Sequence, residues 1–379
     1  MNRVLTRRAT GLAALSIVAV VAVAACSPPE KSSSSSPSGG GNSAASATSV
    51  ASMGGMDKLV AAAKKEGTLN VIALPPDWAN YGAIISAFEA KYGLKVASAQ
   101  PDASSADEIA AAKRLQGQGS APDVFDLGSA VALANTSMYA PYMVSTWDDI
   151  GADFKDPKGL WVNDYGGYMS VGYNSAKVPA VTSVDDLLKP AYKGKVALNG
   201  DPTKAGAAFA GVQMVSVSQG GTVADVSKGV DFFSKLKQAG NFIPVDPTPA
   251  TIESGQTPVV IDWDYLNASE SAKVSTWKVF VPNDAVVAGY YFQAISKDAP
   301  HPAAARLWQE FLFSDEGQNL WLKGGARPVR FDAMKKAGTL NEAGAKALPT
   351  VNGTPIVPTQ KQSAQATTYL TKNWANAVG

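Results

Sequence analysis

Residues 67–97 read GTLNVIALPPDWANYGAIISAFEAKYGLKVA, and the fold is decided there. Thr68–Ala73 is a short apolar run suited to a buried strand. Pro75-Pro76 then forbids regular structure, because proline lacks an N–H and has a fixed φ. Across Tyr81–Tyr92, the side chains of Ile84, Ile85, Phe88 and Tyr92 share one helix face, and Gly93 stands where a left-handed terminator is needed. Leu94–Ala97 returns as a strand. Working outward, Met56–Glu66 spells a helix stopped by Gly67. Ser105-Ala106-Asp107-Glu108 reads as a capping box opening a further helix. Val124–Leu127 is a third strand, ended by Gly128-Ser129. This β-α-β-α-β order implies an α/β protein with a largely parallel sheet and helices on its faces. Ligands of such sheets sit outside the carboxyl ends of the strands. Two loops hold that position here, Pro75–Tyr81 and Gly128-Ser129.

A second region of the same kind follows a strand at Tyr168–Tyr173. Ser183 caps a short helix through Leu188, and Lys195–Leu198 is a strand. Gly200-Asp201-Pro202-Thr203 is expected to open a helix running through Val215, since proline suits a first helical turn. Val230–Ala239 is a helix stopped by Gly240. Phe242–Val245, Pro258–Asp262, Val279–Val281 and Ala288–Ile295 read as strands. Helices near Pro302–Phe313 and Ser314–Lys323 close the region before Gly324-Gly325.

Composition narrows the function. The chain has 379 residues, 33 basic and 32 acidic side chains, and 46% hydrophobic residues. That balance excludes a chain disordered throughout and gives no basic surplus for nucleic acid. One Cys and one His exclude an internal disulfide and a Cys/His zinc site. No Gly-x-Ser-x-Gly elbow, Walker loop or His-Glu-x-x-His occurs. The lone His301 precedes Pro302 in a polar turn and reads as a solvated surface residue.

The N-terminus is an export address. Arg3, Arg7 and Arg8 precede the apolar run Leu12–Ala25, which is too short to span a bilayer. It ends Val23-Ala24-Ala25-Cys26, and the only Cys of the chain is Cys26. Residues 27–55 hold 11 Ser and 5 Gly and no Phe, Tyr, Trp, Leu or Ile. Such a segment is expected to be a flexible tether.

Small residues before Cys26 resemble a bacterial lipobox, which implies cleavage before Cys26 and its lipidation. With that start, the chain resembles bacterial extracellular solute-binding lipoproteins of ABC importers. Ala121-Pro122-Asp123-Val124 leading into Asp126-Leu127-Gly128-Ser129 carries the resemblance, as does Tyr192-Lys193-Gly194-Lys195-Val196. So do Ala299-Pro300, Phe311-Leu312, Ser314-Asp315-Glu316-Gly317-Gln318 and Arg327-Pro328-Val329. The branch handling ferric ion, polyamines, thiamine and aminophosphonates is the most similar. The resemblance implies a two-lobe type 2 periplasmic-binding-protein fold with a two-strand hinge. Residues 56–170 and 278–340 would form lobe 1, residues 171–277 lobe 2, and residues 341–379 C-terminal helices. It further implies a monomer that is exported, held on the outer face of the cell membrane, and served by an ABC transporter permease. No enzymatic activity, cofactor or metal is expected. An exported hydrolase working through carboxylates such as Asp262, Asp264 and Asp77 is the alternative from another class.

The candidate ligand residues follow from strand ends. Asp77, Trp78, Asn80 and Tyr81 put an acid, two aromatics and an amide in one loop. An aromatic face attracts a cation by about 0.5–2 kcal/mol, and a carboxylate adds a charge-assisted hydrogen bond. Asp262, Trp263, Asp264 and Tyr265 repeat that chemistry, although strand alternation would send the acids and the aromatics to opposite faces. Two such clusters suggest an amine or other cationic group, as in a polyamine. Gly128, Ser129 and the stretch Thr203, Lys204, Ala205 at a helix start would suit an anion. Together the two hints would fit an aminophosphonate. In ferric relatives adjacent tyrosinates bind the metal in the loop matching 263–265. Here that loop has Tyr265 alone, and Tyr290-Tyr291 lies later in a strand. Tyr290 is the candidate cleft residue of that pair.

Overall fold

The computed structural model describes residues 43–379. The leader, Cys26 and the tether as far as residue 42 lie outside the described residues. The expected tether does not extend to residue 55. Ser43–Ser46 forms a helical turn (α1), and Ala47 and Met53 are buried. The buried guanidinium of Arg306 donates to the carbonyls of Ala45 at 2.9 Å and Ala47 at 2.8 Å. A buried cation that needs backbone acceptors thus recruits a segment too poor in large apolar residues to dock by burial alone.

The first region follows the sequence closely. Helix α2 (Met56–Glu66) ends at Gly67, which has the left-handed φ of 74°. Strand β1 (Thr68–Ile72) pairs in parallel with β2 (Lys95–Ala99) across helix α3 (Tyr81–Tyr92). Helix α4 (Ser105–Arg114) begins one residue earlier than the expected box: Ser104 is the cap and Asp107 its partner. That frees the Ser105 hydroxyl to accept from the Gly128 amide at 3.0 Å. Strand β3 (Val124–Leu127) runs into the short helix α5 (Ser129–Ala134).

The main sheet is mixed rather than largely parallel. Its spine runs β3, β9 (Ala288–Ser296), β5 (Val162–Asn174), β7 (Val259–Trp263), β6 (Val196–Leu198). Only β6–β7 is parallel; β3–β9, β5–β9 and β5–β7 are antiparallel. The short strands β4 (Tyr139–Ala140), β8 (Trp277–Phe280) and β10 (Arg327–Pro328) add further antiparallel pairs. The reason lies in β5. Its residues 162–168 pair with β9, whereas residues 169–173 pair with β7. One strand therefore serves two halves of the molecule, and strands returning beside it must run against it.

The second half is built by helices α6 (Gly206–Ser218), α7 (Ser227–Gln238), α8 (Pro249–Glu253) and α9 (Asp264–Lys273). Two expectations change here. Gly200–Ala205 is a turn and α6 starts only at Gly206, because the Asp201 carboxylate folds back onto the Thr203 amide and hydroxyl at 2.9 and 2.7 Å. Phe242–Val245 makes a single bridge to Val196 rather than a strand. Helices α10 (Pro302–Leu312), α11 (Asp315–Lys323), α12 (Phe331–Ala337) and α13 (Glu342–Ala347) follow β9. The chain then bridges Ile356 to Val287 and ends in α14 (Gln360–Val378), which packs on α7 and touches α5. Trp374 meets Phe233 edge-on at 5.2 Å, and Lys237 Nζ donates to the Val378 carbonyl at 2.8 Å. Trp308 and Trp321 are core residues, fully buried.

His301 is not a free surface residue. Its Nδ1 lies 2.9 Å from Asp123 Oδ2, and its amide donates to Asp123 Oδ1. Asp123 also accepts from the Asn70 amide, so the pair ties β1 to the start of α10. The hydrogen bond to Asp123 raises the imidazole pKa.

Candidate functional site

A cavity of about 380 Å3 opens between the two halves, at the carboxyl ends of β1, β3 and β7. Its lining includes the acids Asp77, Asp102, Glu108, Asp126, Asp246, Asp262 and Glu270, and not one Lys, Arg or His. Four of these acids, Glu108, Asp126, Asp262 and Glu270, are buried; the other three stand exposed at the rim. Trp78, Tyr291 and Leu266 supply apolar wall.

Backbone strain collects at the same place. Among the described residues, the non-glycine residues with left-handed φ are Ala73 and Gln100, directly after β1 and β2, and Ala79 and Asn80, just before α3. Such conformations cost about 1–3 kcal/mol each and persist where surrounding structure enforces them. At Asn80 the enforcement is visible: its side-chain amide donates to the Leu320 carbonyl at 2.9 Å. Asn80 therefore anchors the loop and does not line the cavity.

Behind the wall on one side lies a hydrogen-bonded relay. Trp78 Nε1 donates to the Tyr165 hydroxyl at 2.8 Å, which donates to Asp126 Oδ2 at 3.1 Å. Tyr81 donates to the same oxygen at 2.7 Å and accepts from Gln293. Asp126 Oδ1 is buried without a partner. Glu108 Oε2 accepts from the Asp126 amide at 3.1 Å. Burial pushes the Asp126 carboxyl up to about 7, and Glu108 and Asp164 are also raised well above the carboxylate range by burial. In the other half Asp262 accepts from Asn199 Nδ2 at 2.8 Å and from the Trp263 amide at 2.7 Å. Burial raises it to about 7 as well.

The expected alternation at Asp262–Tyr265 is broken by a strand-to-helix turn, since β7 ends at Trp263 and α9 begins at Asp264. Asp262 lines the cavity. Asp264 does not: it is fully buried, accepts from the Tyr168 and Tyr265 amides, and pairs with Arg327 at 2.8 Å. Tyr265 packs behind it with its hydroxyl unpartnered. Trp263 donates to the Tyr291 hydroxyl at 3.3 Å and faces a smaller cavity of about 60 Å3, as do Ser129 and Tyr290. Tyr290 packs on Phe154 at 4.9 Å, and burial pushes its phenol up to about 12. Thr203 and Lys204 line neither cavity; they are occupied by Asp201 at 2.7 and 3.5 Å. The expected anion station at a helix start is therefore not formed there, while Ala205 lines the large cavity. Gly206 lines both cavities and Gly128 only the smaller one, and the two glycines bring the halves into backbone contact.

Asp102, Glu108, Asp126, Asp246 and Glu270 are lining acids that the candidate set from the sequence does not include. Asp126 stood in plain view, inside the strand ended by Gly128-Ser129. The signal that would have found it is an acid in an otherwise apolar strand just before a ligand-side loop.

The ligand-free protein is expected to lose stability as pH rises. Asp126 and Asp262 have folded pKa values near 7, against about 3.9 unfolded, so the folded state holds extra protons between those values. Their favourable contribution is complete below about pH 4 and is lost as pH rises through 7. His301, raised above its ordinary value, acts in the same direction. A melting temperature a few degrees lower near pH 8 than near pH 5.5, with a shallower fall in Asp262→Asn, is the outcome to check by scanning calorimetry. A rise toward pH 8 would contradict it.

Among the described residues no group of three His, Cys, Asp or Glu could hold a metal, and no helix is long and apolar enough to cross a membrane. The sequence pattern of the bacterial extracellular solute-binding protein family matches residues 121–351. In fold the chain is similar to AgtB of A. tumefaciens R10, a periplasmic binding protein solved with agropinic acid. That pair is 17% identical with a TM-score of 0.65, covering 82% of this chain and 98% of the other. It is similar also to a Listeria monocytogenes protein described as a spermidine/putrescine ABC transporter (15% identical, TM-score 0.63, covering 82% and 98%). A third likeness is iron-bound HitA from Pseudomonas aeruginosa (18% identical, TM-score 0.60, covering 82% and 99%). No curated protein matches the sequence. The fold is the two-lobe type 2 periplasmic-binding-protein fold.

Proposed function

Because the chain belongs to the bacterial extracellular solute-binding proteins, we propose that it captures a small amine-bearing or otherwise cationic solute and hands it to an ABC permease. One observation carries this reading: the interlobe cavity presents acids and aromatics and no basic side chain. A buried carboxylate without a counter-charge is costly unless something positive arrives. An ammonium ion placed there gains Coulomb energy, charge-assisted hydrogen bonds and aromatic faces together. The solute shifts the lobes toward closure by binding the closed form better. We propose too that lipidation of Cys26 holds the protein on the outer face of the membrane and that it works as a monomer.

The likeness to proteins handling agropinic acid, polyamines or iron leaves the solute to the cavity's own chemistry. An aminophosphonate would bring anionic oxygens among seven acids. Ferric ion prefers phenolates, and of Tyr265, Tyr290 and Tyr291 only Tyr291 lines the large cavity. The carboxyls raised toward neutrality are also what a hydrolase would use. Here burial is their leading cause, and the family is one of binding proteins. Recovery of the bound solute chemically unchanged separates the two.

A thermal-shift screen of amines, aminophosphonates, amino acids, thiamine and ferric salts tests the reading, because a ligand of the folded state raises the melting point by mass action. Amines are expected to raise it and the anions to leave it unmoved. Trp78→Ala is expected to weaken the best amine about tenfold, or about 1.4 kcal/mol. An unchanged affinity would remove Trp78 from the site.

A further inference from the structure

We infer that α14 is a clasp: carried by the second lobe, it reaches across the interlobe groove onto α5 of the first and restrains the two from parting. This holds whatever solute is bound, since it draws on the two-lobe fold alone. The groove has two compartments that meet at the Gly128–Gly206 contact, and Gly206 and Tyr291 line both. The smaller compartment is walled by Ser129 and Leu133 on the first lobe and by Phe209 of α6 on the second. Val357, Pro358 and Ser363 complete its wall. The helix that follows packs on α7 of the second lobe and touches α5 of the first. The last stretch of the chain therefore lies across the line along which the lobes separate.

The two ends of α14 are held differently. Its buried face is Ser363, Ala366, Leu370 and Trp374, small residues near the start and large ones toward the end. The large end is fastened to the second lobe: Trp374 meets Phe233 at 5.2 Å, and Lys237 Nζ donates to the Val378 carbonyl at 2.8 Å. Ser363, at the other end, lines the small cavity together with Ser129 and Leu133 of α5. Such a small side chain offers little apolar area, and burial stabilises in proportion to that area. A helix fixed at one end and lightly seated at the other travels with the lobe that holds it and lifts from the other. Its pivot is the crossing strand, where the Ile356 amide donates to the Val286 carbonyl at 2.8 Å and the Ile356 carbonyl accepts from the Ala288 amide at 2.9 Å. Only Val357, Pro358 and Thr359 lie between that tie and α14. Parting the lobes must lift the start of the helix and expose the buried Ser363. That cost falls on opening, so the resting protein is held nearer the closed form, and a solute that favours closure binds more tightly for it.

Distances between spin labels at Lys113→Cys on α4 and Lys235→Cys on α7, both exposed positions, test this on the ligand-free protein. Cys26→Ser in the same chain leaves the labels as its only thiols. Removing residues 359–379 is expected to lengthen and broaden the distance distribution. Because that truncation bares Phe233, Ser363→Asp is the second variant: it puts a carboxylate into the lightly held end and leaves the Trp374 end intact. It is expected to lengthen the same distance, with amide exchange rising over residues 360–366 and not over 370–378. An unchanged distance in Ser363→Asp, or loss of protection along the whole of α14, would overturn the clasp, whether or not the truncated chain folds. No solute enters these measurements, so their outcome is separate from that of the amine screen.

Discussion

Gly206→Val is expected to weaken binding of the best amine about hundredfold, or about 2.7 kcal/mol, while the melting temperature of the ligand-free protein stays within a few degrees. A Cβ on Gly206 would lie 2.7 Å from Gly128 Cα, and one on Gly128 would lie 2.4 Å from Gly206 Cα. Carbon atoms do not approach so closely, and both partners are backbone, so neither can rotate away. Gly206 is the first residue of α6, in a conformation open to any residue, so the side chain does not strain its own lobe. Its cost falls on the contact between lobes. Parting them separates Asp126 from Asp262, and the closed population is what the solute needs. Isothermal titration with the tightest amine reads the effect, and small-angle scattering reads whether the lobes have parted. Unchanged affinity would show that the bound form does not bring these two glycines together.

How much of this was written in the sequence depends on how local the cause is. Elements whose limits are set by neighbours along the chain are legible. Met56–Glu66 stops at a glycine, Tyr81–Tyr92 keeps one apolar face, and Val124–Leu127 is a strand as read. The place of the large cavity was legible as well, since Asp77, Trp78, Ala205 and Asp262 all line it. What failed depended on distant partners. Arg306 reaches across more than 250 residues to hold Ala45 and Ala47, so a Ser-rich stretch that reads as tether is docked from residue 43. His301 looks solvated until Asp123 is placed beside it. Glu108 reads as a capping residue because helix periodicity does not reveal which lobe's cavity lies beyond its face. The helix expected to open at Gly200-Asp201-Pro202-Thr203 begins only at Gly206, because the Asp201 carboxylate has a nearer turn to close.

Asp264→Ala is expected to destabilise the protein by about 3–5 kcal/mol, the usual cost of stranding one member of a buried ion pair. The sequence places Asp264 beside Trp263 in a ligand loop and predicts lost binding with the fold intact. The structure gives it three other duties. Its Oδ1 accepts from the Tyr168 and Tyr265 amides, its Oδ2 from Arg327 at 2.8 Å, and nothing of it is exposed. Removing the carboxylate leaves Arg327 stacked on Tyr168 at 4.3 Å with no counter-charge and takes the acceptor from the buried Tyr265 amide and the half-buried Tyr168 amide. These contacts join β5, where it passes from one lobe to the other, to α9 and β10. Loosening them loosens the hinge. Urea denaturation of Asp264→Ala, of Arg327→Met and of the double variant measures the coupling, and the double variant is expected to recover part of the loss because neither charge is then stranded. If Asp264→Ala instead keeps its stability and loses the amine, the carboxylate belongs to the ligand and its reading as a structural ion pair must give way.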